Sequence, residues 1–376
     1  MSGAPNFLEP EEYEAEPPNY TASTPPAAAT ESDEPKFGEP GYNKGKPNKR
    51  KGTPRATITA TDGAFLAFAG LFPGADEEAF SVLFYRQDSP MGAGGQLPSM
   101  SAIKSRLAKL RKMGVLAYVR HPMTGVNSYS LTKEGFEIAR SFGYAMDPGR
   151  TLNGITMERL THFRLIAHVA AQLLSPVGFF AENLGVNPVS LDQLANENEM
   201  RTAFQPFREA MKAQKKAGQN ANYEVLRHEV AEEAFQEAQQ GNLDWNQVID
   251  AYPTLMTLGR AGTGGKAVHQ PDLAVKLDAA ERTDRQGRNL MVEVELTPKS
   301  KAAYEQILAT IKAELDSGIA YNQVAYFTVG TAVEKLLATI DRERGYGLFQ
   351  SRQLAVLPLR HKDGSNLELA NRIKLF

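Results

Sequence analysis

The sequence predicts an α+β chain in three parts. A polar tail leads into a small helical unit closed by a β-ribbon. A helical segment then runs into an α/β layer. Three observations carry this reading. Ten of the 22 prolines lie in residues 1–55, beside an acidic block (Glu9, Glu11, Glu12, Glu14, Glu16, Glu31, Asp33, Glu34) with no Lys or Arg before Lys36. Between residues 57 and 142, three helical patterns precede two short alternating runs and a fourth helical pattern. From about residue 266, short apolar runs alternate with amphipathic stretches, as buried strands and their connecting helices do. At roughly 100–200 residues per domain, 376 residues predict two or three domains. The expected divisions are 1–55, 56–145 and 146–376.

Composition narrows the classes of function. Lys and Arg number 42 and Asp and Glu 44, which excludes a uniformly basic nucleic-acid coat but leaves room for local basic patches. No apolar run approaches the ~20 residues of a transmembrane helix. The first residues lack the basic and apolar regions of a secretory signal, so the expectation is a cytoplasmic protein with no membrane partner. The absence of cysteine excludes disulfides, thiolate metal sites and a cysteine nucleophile. The six histidines are scattered and form no HExxH pattern.

The tail is too polar to offset its ordering entropy and reads as disordered. Its charge turns positive at Lys44, Lys46, Lys49, Arg50, Lys51 and Arg55. That run suits either a phosphate-binding arm or a solubilising tail. TDGAFLAFAGLF follows as an apolar helix with Asp62 as its N-cap, and DEEAFSVLFYR as a helix with acids in its first turn. SPMGAGGQLPS is a Gly/Pro loop. SMSAIKSRLAKLRKMG predicts a helix capped by Ser99 or Ser101 and ended by Gly114, with Ile103, Leu107 and Leu110 as its buried stripe. VLAYVRHP and VNSYSLT read as strands joined by MTG, and KEGFEIARSFG as a closing helix. Three helices, a β-ribbon and a last helix describe a winged helix-turn-helix.

In the middle, THFRLIAHVAAQLL and SLDQLANENEMRTAF are helical patterns, the second starting at Ser190 or Asp192. The charged stretch after Arg201 reads as exposed helix or as an insertion carried by the next domain. GRAGTGGK, at 259–266, lacks the strand and helix of a phosphate loop and reads as a flexible loop. PDLAVKL and LMVEVEL are strands separated by RTDRQGRN. SKAAYEQILATIKAEL is an amphipathic helix burying Tyr304, Ile307, Leu308 and Ile311. QVAYFTV, TAVEKLLATIDRER and QLAVLPL complete a strand, helix, strand succession.

Two sets of residues carry candidate chemistry. Between Ser99 and His121 stand Lys104, Arg106, Lys109, Arg111, Lys112 and Arg120, with no acid among them. A helix burying Ile103, Leu107 and Leu110 turns Lys104, Arg106 and Lys109 outward, as a recognition helix in the major groove requires. Arg120 and His121 stand where a wing meets a neighbouring phosphate. Any exposed helix carries cations, and winged helices also bind proteins.

The second set is acidic. In LMVEVEL, Val292, Val294 and Leu296 alternate with Glu293 and Glu295, so the two carboxylates share a face. Asp272 opens the preceding strand and comes near Glu293, and Lys299 follows Glu295 by four residues. Buried neighbouring carboxylates call for a cation or donor, and Mg²⁺ with Asp272, Glu293 and Glu295 as oxygen ligands satisfies them. With Lys299 near the developing charge, these are the catalytic parts of phosphodiester hydrolysis. The bland alternative is a solvated face in which Glu293 and Glu295 pair with Arg288, Lys299 or Lys301. His269 reads as a loop residue, and His162 and His168 as packing or capping residues.

PD, about twenty residues, then ExE and K resembles the PD-(D/E)xK nucleases. Their lysine belongs at position 295, where this chain has Glu295, and Lys299 is the substitute. Glu197 and Glu199 in ENEMR are candidates to complete the site. Residues 57–376 resemble the replication-relaxation family of actinobacterial plasmids, phages and other mobile elements. The resemblance rests on the winged helix, ENEMR, HQPDLAV, and VEVELTPKSKAAYEQIL followed by YNQVAYFTV. It implies a restriction-endonuclease-like α/β domain after the helical segment. It also implies double-stranded DNA, and replication or transfer proteins of the element, as partners. The alternatives are a non-catalytic transcription or replication regulator, and a phage structural or packaging protein whose winged helix makes protein contacts.

Overall fold

The computed structural model describes residues 58–83, 99–122, 124–144, 152–175, 189–219, 222–276 and 289–360. The tail with its basic run, the Gly/Pro loop at 89–98 and the polar turn at 282–288 lie outside these residues. Residues 56–376 form one compact unit, a mixed α+β fold of helices and a mixed sheet.

Helix α1 (Ala60–Leu71) begins at Thr59, whose side chain accepts from the Asp62 N–H while Asp62 accepts from the Thr59 N–H. Asp62 is therefore the third residue of a capping box and not the N-cap expected from sequence. The hydroxyl one turn earlier already supplies the cap. Helix α2 (Glu77–Leu83) is started by Asp76, which accepts from the N–H groups of Glu78 and Ala79. Helix α3 (Met100–Lys112) is capped by Ser99, buries Ile103, Leu107 and Leu110, and gives way to Gly114 at φ 77°. Each such buried leucine or isoleucine contributes roughly 1.5–3 kcal/mol. Strands β1 (Leu116–Arg120) and β2 (Asn127–Leu131) pair antiparallel from Leu116↔Leu131 to Arg120↔Asn127. Ala75, between α1 and α2, bridges to Tyr129 as a third, one-residue strand. Helix α4 (Lys133–Ser141) packs on α1, with Gly135 pressed against the Val115 carbonyl.

Helix α5 (Met157–Leu173) is buried along most of its length. The residues after it depart from the single helix expected over 190–204. A 3₁₀ turn at Leu191–Gln193 leads to a buried strand, β3 (Leu194–Asn196), and helix α6 (Glu197–Lys216) starts only then, capped by Asn196. Leu194 and Ala195 gain a strand partner in the sheet, and that burial outweighs their helix propensity. The charged stretch after Arg201 is helical as expected and largely exposed along α6, but its second helix packs into the structure. Helix α7 (Tyr223–Gln239) buries Tyr223, Arg227, Ala231, Ala234 and Phe235. Inside, Arg227 Nη1 meets Glu314 Oε2 at 2.7 Å and Nη2 donates to the Leu255 carbonyl at 2.6 Å. After a short helix α8 (Val248–Ala251), the GRAGTGGK glycines form the turn between β4 (Leu258–Gly259) and β5 (Val268–His269). That turn packs on the start of α7, where the Tyr223 N–H donates to the Gly265 carbonyl.

The main sheet has the order β3, β6 (Leu273–Val275), β7 (Asn289–Glu295), β8 (Tyr321–Thr328), β9 (Leu354–Pro358). The first three are joined by antiparallel pairing; β7, β8 and β9 run parallel through crossover helices α9 (Lys301–Ser317) and α10 (Ala332–Arg344). The strand and helix succession expected from PDLAVKL onward is present. Alternation divides the sheet's faces. Leu273, Leu290, Val292 and Val294 share one core with α1–α5. Met291 and Tyr326 face the other core, with Tyr304, Leu308 and Ile311 of α9.

Candidate nucleic-acid interface and acidic centre

The α3 stripe that buries Ile103, Leu107 and Leu110 leaves Lys104, Lys109, Arg111 and Lys112 outside the core, and Arg120 is exposed at the end of β1. Between the long cations stand Ser101, Ser105 and Ala108, small enough not to hold a partner away. The Arg111 guanidinium lies 4.6 Å from the centre of the Tyr118 ring, which is 42% exposed. This fixes a cation beside an accessible aromatic face.

Two expected members of this surface are placed differently. Arg106 does not point into solvent. Its Nε donates to Asp62 Oδ1 at 2.7 Å and its Nη2 to Thr59 Oγ1 at 2.6 Å. The buried Asp62 carboxylate needs a cation, and Arg106 supplies it. His121 is buried, and its Nδ1 accepts from the Thr124 N–H at 3.2 Å, so it braces the β1–β2 turn. Burial, with the nearby Arg164 charge, lowers its pKa.

The acidic residues do come together at the ends of β6 and β7. Leu273 pairs with Val292, so the preceding Asp272 comes alongside Glu293. Asp272 Oδ2 accepts from the Val294 N–H at 2.8 Å. Glu293 and Glu295 are both buried, on the α9 side of the sheet. Two of their partners are histidines to which the sequence assigned other roles. His269, expected as a loop residue, sits on β5 with Nε2 2.8 Å from Glu293 Oε1. His162, expected as a packing or capping residue, points Nε2 at the Val294 carbonyl (2.9 Å) and at Asp272 Oδ2 (3.4 Å). Lys299 pairs with Glu295, and the Lys299 N–H donates to the Tyr304 hydroxyl. Long-range strand and helix placement alone brings the two histidines to these carboxylates, whereas the Glu295–Lys299 pair spans four residues and is among the pairings that the sequence offers.

Electrostatics follow from burial and these contacts. Burial lowers the His162 pKa, but the Asp272 hydrogen bond and charge prevail and raise it to about 9. Burial likewise opposes charge on His269, and Glu293 raises it. Burial raises Glu293 more than the His269 charge lowers it. The pair therefore retains a proton beyond the range of a free imidazole. Burial and Glu295 push the Tyr304 phenol to about 12. Of the ENEMR candidates, Glu197 pairs with Arg201 and its charge helps raise His162. Glu199 accepts from the Asn196 N–H at 2.9 Å and so serves the α6 cap. A cavity of about 40 Å³ opens beside this centre, between Phe72, Phe163 and Ile166 on one side and Glu197, Asn198 and Asp272 on the other.

Mg²⁺ would need oxygens of Asp272, Glu293 and Glu295 facing one point. Each carboxylate is instead turned to a separate basic group, and among the described residues no group of three or more His, Asp or Glu is arranged to hold a metal ion. In this arrangement the residues do not fit a carboxylate cage. No helix among the described residues is long and apolar enough to cross a membrane. Comparison of the chain with family models, characterised proteins and solved structures finds no match.

Proposed function

We propose that the chain binds double-stranded DNA through α3 and the β1–β2 ribbon, acting as a winged helix. The observation that carries this reading is the outward row of Lys104, Lys109, Arg111 and Lys112 on a helix without acids, its apolar stripe held in the core with α1 and α2. The order α1, Ala75 bridge, α2, α3, β1, turn, β2 supports it. The resemblance to the replication-relaxation family supports a role in replication or transfer of a mobile element. In this reading the sheet is a restriction-endonuclease-like domain, supported by two antiparallel steps followed by a parallel helical crossover. It serves the DNA-bound protein as a scaffold.

Fluorescence anisotropy with a DNA duplex across salt concentrations tests the reading. Affinity falls linearly on a log–log plot, and replacing Lys104, Lys109 and Lys112 by Ala lowers the slope by about 0.9 for each phosphate no longer neutralised. No binding, or binding indifferent to salt, overturns it in favour of a protein-contact module. Plasmid cleavage with Mg²⁺ or Mn²⁺ that Asp272→Ala abolishes would overturn the scaffold reading of the sheet in favour of a metal-dependent nuclease.

A further inference from the structure

We infer that the acidic centre is closed by counter-ions of its own chain: His162, His269 and Lys299 each take one oxygen of Asp272, Glu293 and Glu295, and their positive charge replaces that of a divalent cation, so the folded protein takes up neither Mg²⁺ nor Mn²⁺ there.

Three separate elements deliver the three basic groups. α5 brings His162, whose single Nε2 stands 2.9 Å from the Val294 carbonyl and 3.4 Å from Asp272 Oδ2. It occupies the point where two oxygens converge. β5 brings His269, 2.8 Å from Glu293 Oε1, and β5 is itself fixed by pairing with β4. The turn after β7 brings Lys299 to Glu295. Asp272 Oδ2 is further committed to the Val294 N–H at 2.8 Å. Three carboxylates thus face three basic side chains. Mg²⁺ accepts only near-ideal octahedral geometry at about 2.0–2.1 Å and sheds its water reluctantly. To enter, it would have to part these pairs and move β5 or α5, whose neighbours are packed in the two cores. Lys299, whose side chain is 48% exposed, is the one group of the three able to swing out without disturbing packing.

The inference does not depend on α3 binding DNA, and the two tests fail separately. The full chain is titrated with Mn²⁺ alone, and free Mn²⁺ is followed by electron paramagnetic resonance. The wild type shows no saturable uptake below about 1 mM, the weak end of biological divalent sites. The His162→Ala/His269→Ala variant gains single-site uptake at least tenfold tighter, which adding Asp272→Asn removes. If circular dichroism shows that this variant does not fold, His162→Gln/His269→Gln, which keeps most of the side-chain bulk and removes both imidazolium charges, carries the same expectation of tighter uptake. Saturable uptake by the wild type that Asp272→Asn abolishes overturns the inference. So does a folded variant that takes up no more Mn²⁺ than the wild type.

Discussion

Arg106 on α3 holds the buried carboxylate of Asp62 on α1, Nε to Oδ1 at 2.7 Å. The contact orients the outward cationic face of α3 by fixing the helix's rotation against α1. Arg106→Ala leaves that carboxylate buried without its cation, at a cost of about 2 kcal/mol. Urea unfolding checks this, and the salt slope of DNA binding stays as in the wild type. Lys104→Ala shows the opposite pattern, with stability unchanged and slope reduced. An Arg106→Ala protein as stable as the wild type would refute the anchoring role.

The Arg227–Glu314 pair is deeper. Glu314 Oε1 also accepts from the N–H groups of Ala320 and Tyr321, joining α7, α9 and the start of β8. Arg227→Met strands that carboxylate and costs about 3 kcal/mol in the same unfolding measurement. A loss below about 1 kcal/mol would mean that water replaces the arginine.

A methyl group at Gly135 would lie 2.1 Å from the Val115 carbonyl oxygen. The obstacle is backbone, which cannot swing aside. Gly135→Ala therefore pushes α4 off the β-ribbon and lowers stability by about 2 kcal/mol, although alanine is the better helix former. A raised melting midpoint would contradict the packing described.

His168 and Asp76 form a buried pair at 2.8 Å. Burial opposes both charges, but each is favoured by the other: the His168 pKa is raised and the Asp76 pKa lowered. A raised histidine stabilises fully below its ordinary 6.5, and that stability is lost as pH climbs through the folded value. A lowered aspartate stabilises fully above its ordinary 3.8 and loses this as pH falls through its folded value. The urea midpoint of the wild type minus that of His168→Gln is thus widest between those two limits and narrows on either side. A difference constant with pH would show that the pair is not charged.

Local signals are enough for much of this architecture. Ile103, Leu107 and Leu110 at helical spacing give α3 its buried face, and the alternation in LMVEVEL places Glu293 and Glu295 on one side of β7. Strand β3 is hidden because LAN carries no periodicity in three residues; its partner, Leu273–Val275, is remote in the chain. Arg106 is hidden for the same reason, since a cation on a helix looks alike whether it faces water or a buried carboxylate 44 residues earlier. The acidic cluster is legible as a row of acids. Its neutralisation by His162 and His269 is not, because those imidazoles arrive from α5 and β5 through tertiary packing alone.

Val292 and Val294 of the sheet lie in the same apolar core as Phe65, Phe80 and Leu107 of the first helices, together with Leu165 and Val169 of α5. Heat or urea should therefore melt the helical front and the sheet in one cooperative step. Cutting the chain between α4 and α5 would strip both fragments of a shared wall, and neither would keep its shape alone.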